Sequence, residues 1–485
     1  MTRNVTINRL ATGVPGLDEV LGGGLPEYSF NLIAGASGSG KTTLAHQLMF
    51  ALATPQRPAL YFTVLGEPPL KMLRYQQQFD YFDGDAIDGR VHFVSLGDDM
   101  LAGQLGPVLA RIAAEVKARA PGFVFVDSIR SVALGSGDGS SQQPLQRFMQ
   151  QLGMLMTSWQ ATTFLLGEYR VEAEANPVFT VADGLICLRQ SLQRNSMVRK
   201  LEIVKMRGQP TLPGLHTFRI NGAGVEVFPP ASAIVATRVE TAAGGPVQRL
   251  LTGVPRLDEM FGGGLPRGYS LLVAGPSGSG KSILAAAFLA EGARCGETGV
   301  IAAFEQRPDR SRNAALAALI QSGRVGLVDS RAPDLSIDEI VRLLVNEVHR
   351  LGASRVVIDS LSGFELALAP TFRDDFRESL SRMVTALASL GVTVLMTSEL
   401  EDRYTDLRFS PYGTAFMTDA IVVQRYIEVD SRLLRVMAVV KVRASAHSDQ
   451  LRVFSIHDDG IRVGEILPDQ EGLLGGRPHR PGVAR

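Results

Sequence analysis

Two short stretches carry the residue types that phosphate chemistry needs, at the spacing it needs. GASGSGKT (35–42) and GPSGSGKS (275–282) both fit G-x-x-x-x-G-K-[ST]. Glycines such as Gly38, Gly40, Gly278 and Gly280 let backbone N–H groups turn inward around phosphate oxygens, with Ser37, Ser39, Ser277 and Ser279 between them. The helix that follows, opened by Thr42-Thr43 or Ser282-Ile283, presents its positive end to the same anion. Lys41 and Lys281 are placed to reach the β- and γ-phosphates, and the Thr42 and Ser282 hydroxyls to ligate Mg²⁺. Asp127 and Asp359 each end a four-residue apolar run, where an aspartate holds Mg²⁺ through water beside such a loop.

The acid that would activate an attacking water differs between the two stretches. AAFEQRP (302–308) supplies Glu305 directly after an apolar run, followed by Gln306. FTVLGEPP (62–69) has Leu65 and Gly66 in that place, with Glu67 one step late. Further on, Lys205 and Arg207, and again Lys441 and Arg443, alternate along apolar runs, so each pair is expected on one face of a strand. Their recurrence suits a phosphate on an adjacent subunit. Asp183 and Asp419 precede another strand in both places, where a cap and a site role are equally expected.

These residues must be positioned by elements, and the elements occur twice. LATGVPGLDEVLGGGLP (10–26) returns as LLTGVPRLDEMFGGGLP (250–266), FVFVDS (123–128) as RVVIDS (355–360), and VKMRG (204–208) as VKVRA (440–444). The order is unchanged, which indicates a tandem duplication of a domain of roughly 230 residues, not a short-period solenoid. Short β-rich apolar runs alternate with longer helical patterns, as in SFNLIAG (29–35), ALYFTVL (59–65), VHFVSL (91–96), FVFVDS and ATTFLLG (161–167). Continuous apolar strands separated by helices predict an α/β fold, a mainly parallel sheet covered on both faces, in each copy. The expected division is 1–235 for the first domain, 236–248 for a linker, 249–466 for the second domain and 467–485 for a Gly- and Pro-rich flexible tail. The run SAIVATRVE (232–240) is a candidate strand at the join.

Composition narrows the class. With 45% hydrophobic and 20% charged residues the chain reads as a soluble globular protein. Lys+Arg and Asp+Glu both number 49, which argues against nucleic acid as the main partner. Two cysteines, Cys187 and Cys295, without metal-ligand spacing, are expected as buried free thiols. No apolar leader and no membrane-length apolar run is seen, so a cytoplasmic protein without membrane contact is expected.

Taken together, the TGVPGLDE…GGGLP segment with its phosphate loop, the FE-x-x-P-like segment, the Asp-Ser strand end and the K-[MV]-R strand resemble the KaiC family of tandem RecA-like P-loop ATPases, over about residues 8–465. The resemblance implies a homo-hexameric ring of two tiers with ATP and Mg²⁺ bound between subunits. One subunit would supply the P-loop, and its neighbour Lys205 and Arg207, or Lys441 and Arg443. It also implies a regulatory protein partner, such as a KaiB-like protein or a signalling kinase. In that family a Glu-Glu pair serves as base and magnesium partner. Glu305 keeps the first acid of the pair in the second domain, whereas Leu65-Gly66 keeps neither in the first. The family's autophosphorylated Ser-Thr pair corresponds to Ala415 and Phe416, neither of which accepts a phosphoryl group; Ser410, Thr414 and Thr418 are the nearby hydroxyls.

The expected activity is therefore ATP hydrolysis in the second domain, coupled to a protein partner, with the first domain chiefly holding nucleotide unless Glu67 serves it. The alternatives are a serine/threonine kinase acting on itself or on another protein, a DNA-dependent recombination or repair ATPase, and a binding scaffold without turnover.

Overall fold

The structure is a computed structural model that describes residues 7–64, 69–97, 105–128, 142–168, 177–193, 196–230, 248–304, 314–329, 335–373, 376–400, 417–429 and 431–466. The chain forms two compact units, Met1–Pro229 and Pro230–Arg485.

The first unit is built on nine strands: β1 (Phe30–Gly35), β2 (Ala59–Thr63), β3 (Val91–Ser95), β4 (Phe123–Asp127), β5 (Thr162–Gly167), β6 (Gly184–Gln193), β7 (Ser196–Met206), β8 (Leu215–Asn221) and β9 (Gly224–Phe228). Their spatial order is β9-β8-β7-β6-β1-β5-β4-β2-β3. From β3 to β6 every neighbour is parallel, and β6 to β9 run antiparallel. All six residues of β1 are buried, as a strand covered on both faces requires. One face packs against α1 (Lys41–Leu52) and the other against α2 (Leu105–Arg119) and α3 (Gln142–Ser158).

The second unit repeats the plan with β10 (Ser270–Gly275), β11 (Gly299–Ala303), β12 (Val325–Asp329), β13 (Arg355–Asp359), β14 (Thr393–Glu399), β15 (Ala420–Val429), β16 (Arg432–Val442), β17 (Arg452–His457) and β18 (Gly460–Ile466). Its order is β12-β11-β13-β14-β10-β15-β16-β17-β18. Helix α4 (Lys281–Arg294) covers one face; α5 (Ile337–Leu351) and α6 (Phe376–Ser389) cover the other. Helix α5 shows why such a segment is helical. Ser336 and Glu339 close a capping box at its start, and Gly352, at φ 60°, ends it. Ile337, Ile340, Val341, Leu344, Val345 and Val348 form one buried stripe at helical spacing. Each such side chain contributes roughly 1.5–3 kcal/mol on burial.

The TGVPxLDE…GGGLP segments prove to be scaffolding. Arg9–Leu10 pairs with Leu25–Pro26, and Arg249–Leu250 with Leu265–Pro266. Asp18 and Asp258 accept the backbone N–H of Thr12 and Thr252. The three glycines return the chain in left-handed conformations, φ 77°, 115° and 114° at Gly22, Gly23 and Gly24.

The two cores are filled differently beneath the central strands. In the first unit His46, Tyr61, Phe93, Phe125 and Phe164 stack across α1, β2, β3, β4 and β5, with the Phe125 and Phe164 centroids 4.7 Å apart. Sheet register places Ile301, Leu327, Val357 and Leu395 at the matching strand positions of the second unit, and Ala286 opens the place of His46.

The antiparallel half-sheet is an addition to the parallel sheet expected. Both cysteines are free; Cys187 is buried, and burial pushes its thiol up to about 12. Cys295, expected to be buried, is exposed just beyond α4. The candidate strand at 232–240 and the tail from 467 lie outside the described residues. Among the described residues no helix is long and apolar enough to cross a membrane.

Candidate functional site

Each phosphate loop leaves the carboxyl end of a central strand and runs into a long helix. Gly38 and Gly40 take φ 74° and 98°, and Gly278 and Gly280 take 75° and 101°. A side chain at Gly40 would also meet Ile220 of β8, its Cβ lying 2.6 Å from Cδ1. No side chain caps α1 or α4, so their first-turn N–H groups face the loop without one. The Lys41 ammonium donates to the carbonyls of Gly35 (3.0 Å) and Ala36 (2.8 Å). Lys281 does the same with Gly275 (2.9 Å) and Pro276 (2.8 Å). Burial lowers the Lys41 pKa, opposed by the negative charges of Glu168 and Asp127. The loops are tethered differently. The Ser279 hydroxyl donates to Gln424 at 3.0 Å, whereas the matching residue beside the first loop is Leu188 and the Ser39 hydroxyl is buried without a partner among the described residues.

The two strand-end aspartates lie beside these loops. Asp127 Oδ2 accepts the Thr42 hydroxyl at 3.1 Å and the Tyr61 hydroxyl at 2.8 Å. Asp359 Oδ1 accepts the Thr397 hydroxyl from β14. The peptide bonds Asp127–Ser128 and Asp359–Ser360 are both cis. Thr42 with Asp127, and Ser282 with Asp359, give each site a hydroxyl and a carboxylate. These are hard oxygen ligands of the kind magnesium takes alongside substrate phosphates. With the turned-in glycine loop and the helix start, the residues fit a Mg-nucleotide.

The lysine and arginine of the K-x-R segments lie elsewhere. Lys205 is opposite Leu185, which neighbours Leu32 in β1, and Asp183 accepts the N–H of Phe30 at the start of that strand. The phosphate loop leaves the other end of β1, roughly 10 Å along the strand from Leu32 and roughly 17 Å from Phe30. Lys205 donates to Ala182 O (2.6 Å), and Arg207 pairs with Asp183 at 3.0 Å. The second unit repeats this with Lys441 on Thr418 O (2.5 Å) and Arg443 on Asp419 (3.1 Å), while Asp419 accepts both the N–H and hydroxyl of Ser270. Asp183 and Asp419 therefore tie strand starts and sit away from the phosphate loops of their own units. The expected alternation on a strand face is also modified. The ladder is interrupted beside Lys205 and Lys441, and each arginine lies just past the end of its strand.

Glu67, Glu305 and Gln306 lie outside the described residues, as do Ser410, Thr414, Ala415 and Phe416. The residues that lead toward the two acids are described. Val64 N donates to Asp127 O at 2.7 Å, and Phe304 N to Asp359 O at 3.1 Å. The chain thus passes each strand-end aspartate directly before the segment in question.

Sequence reasoning missed four participants. Tyr61 and Thr397 hold the aspartates, Gln424 holds the second loop, and Glu168 bears on Lys41. Glu168 follows β5 and Glu399 ends β14, at the same place in both copies. Setting FLLGE beside LMTSE would have revealed that pair.

A parallel sheet carrying a phosphate loop at the end of one strand and an aspartate at the end of another defines a P-loop ATPase fold of the RecA type, here in two copies. The family model of the KaiC ATPase matches residues 10–232 and again 250–467, and the chain belongs to that family. Similar curated proteins include the circadian clock oscillator protein KaiC of Rippkaea orientalis, 27% identical over 99% of this chain and 93% of its own length. Its namesake from Picosynechococcus sp. is 27% identical over 98% of this chain and 93% of its own. KaiC 1 of Synechocystis sp. stands at the same identity and coverage as the latter.

Proposed function

We propose that the chain assembles into a hexameric ring that binds ATP between subunits, hydrolyses it in the second domain and signals its nucleotide state to a protein partner. The observation that carries this reading is the placement of the cations. Lys205 and Arg207, like Lys441 and Arg443, sit at the opposite end of the central strand from their own phosphate loop. Cations so placed suit a neighbour's phosphates better than those of their own loop.

In the second domain the loop and Lys281 hold the triphosphate, and Glu305 takes the proton of the attacking water. Magnesium, when bound, would neutralise charge building on the phosphate oxygens, held by the Ser282 hydroxyl and, through water, by Asp359. In the first domain Leu65-Gly66 offers no base in the corresponding place, so its nucleotide serves mainly to hold the ring together. A KaiB-like protein or a signalling kinase is the proposed kind of partner. The kinase reading is disfavoured because Ala415 and Phe416 stand where the acceptors would be, and a DNA-dependent reading because the formal net charge is zero.

Mixing two inactive chains tests the arrangement. Lys281→Ala lacks the phosphate grip, and Lys441→Ala/Arg443→Ala lacks the donated cations. Co-assembled, they regain roughly a quarter of wild-type turnover, because about that fraction of interfaces in a randomly mixed ring unites an intact loop with intact cations. A mixture as inactive as its components would show that the cations do not act across subunits.

A further inference from the structure

One hydrogen bond in the first domain has no counterpart at the same position of the second. Tyr61 lies at the centre of β2, fully buried, and its hydroxyl donates to Asp127 Oδ2 at 2.8 Å. The same oxygen accepts Thr42 at 3.1 Å. The second domain has Ile301 in the place of Tyr61 and fixes Asp359 with Thr397 on β14. The first domain in turn has Leu166 in the place of Thr397, opposite Asp127 in the sheet. The two copies therefore hold the same aspartate from opposite neighbouring strands. Each lacks the hydroxyl that the other uses.

We propose that Tyr61 is a positioning residue of the first nucleotide site, holding the Asp127 carboxylate toward Thr42 so that the pair receives magnesium with the nucleotide. The proposal rests on the reading of this site as a Mg-nucleotide site. The Tyr61 ring is held between Phe125, stacked at 6.0 Å, and Phe93, tilted at 5.5 Å, so the hydroxyl has little freedom to leave the carboxylate. Without the hydroxyl, one Asp127 oxygen loses a fixed donor and the carboxylate turns more freely. A hydrogen bond to a charged group is strong enough to change an equilibrium about tenfold.

The test uses the full chain with Lys281→Ala, so that nucleotide binding reports on the first domain. The probe is a fluorescent ATP analogue, titrated with magnesium and again in excess chelator, with direct manganese binding followed by electron paramagnetic resonance. Adding Tyr61→Phe is expected to raise the metal concentration for half-maximal retention about tenfold while leaving metal-free affinity unchanged. Adding Leu166→Thr to Tyr61→Phe, which supplies a hydroxyl from the strand the second domain uses, is expected to recover most of that loss. An unchanged metal midpoint in Tyr61→Phe, with nucleotide still bound, overturns the role of Tyr61 and spares the site. A background chain that binds the analogue neither with nor without metal overturns the nucleotide reading of the first domain and this proposal with it.

Discussion

The two domains share a backbone plan and differ in what fixes the groups around the phosphate loop. Under the first sheet lies an aromatic stack with a buried histidine; under the second the same positions are aliphatic. Asp127 is held by Tyr61 and Thr42, Asp359 by Thr397. Ser279 is anchored to Gln424, whereas Leu188 stands in the matching position beside the first loop. Lys41 and Lys281, in contrast, make the same two carbonyl contacts. The duplication thus kept the parts that grip phosphate and let the parts around them diverge. That pattern suits the different tasks proposed for the two sites.

The largest effect separating the domains is expected in assembly. Lys41→Ala removes nucleotide from the first domain and with it about 3 kcal/mol of ligand stabilisation per site at nucleotide a hundredfold above Kd. Sedimentation should show smaller species for Lys41→Ala and intact rings for Lys281→Ala. The reverse outcome would exchange the roles assigned to the domains.

Acid should then distinguish the two cores. His46 is buried against Tyr61, with ring centroids 4.6 Å apart, and burial lowers its pKa to about 4 while Gln76 pulls the other way. The unfolded chain therefore binds a proton that the folded domain refuses between pH 6.5 and 4. Stability is full above pH 6.5 and falls as pH drops through that window, by about 3 kcal/mol. His46→Leu should flatten that part of the wild-type pH profile of first-domain melting. An equal acid slope in both proteins would remove His46 from the account.

The smallest effect belongs to the second domain alone. Ser336→Ala breaks the capping box of α5 and should cost about 1 kcal/mol in chemical denaturation, with the melting of the first domain unmoved.

Much of this was legible in the sequence because it is local. The phosphate loops, the strand-end aspartates and the duplicated order are contiguous patterns, and buried parallel strands announce themselves as apolar runs. What was not legible depends on which strands become neighbours. Tyr61 reads as one more apolar strand residue until β2 lies beside β4 and its hydroxyl meets Asp127. Asp183 was balanced between a cap and a site until the sheet order put it at the start of β1. Strand β7 was expected from the Lys205–Arg207 alternation, but its antiparallel pairing and the strands β8 and β9 were not foreseen, because runs such as LHTFRIN mix charged and polar with apolar residues and lack the continuous apolar signal.

The proposed division of labour turns most directly on Glu305. We expect Glu305→Gln to lower ATP turnover of the full chain by about a hundredfold or more, the usual contribution of a general base, while hexamers persist in sedimentation. Turnover that stays at the wild-type rate in that variant would contradict the assignment of hydrolysis to the second domain.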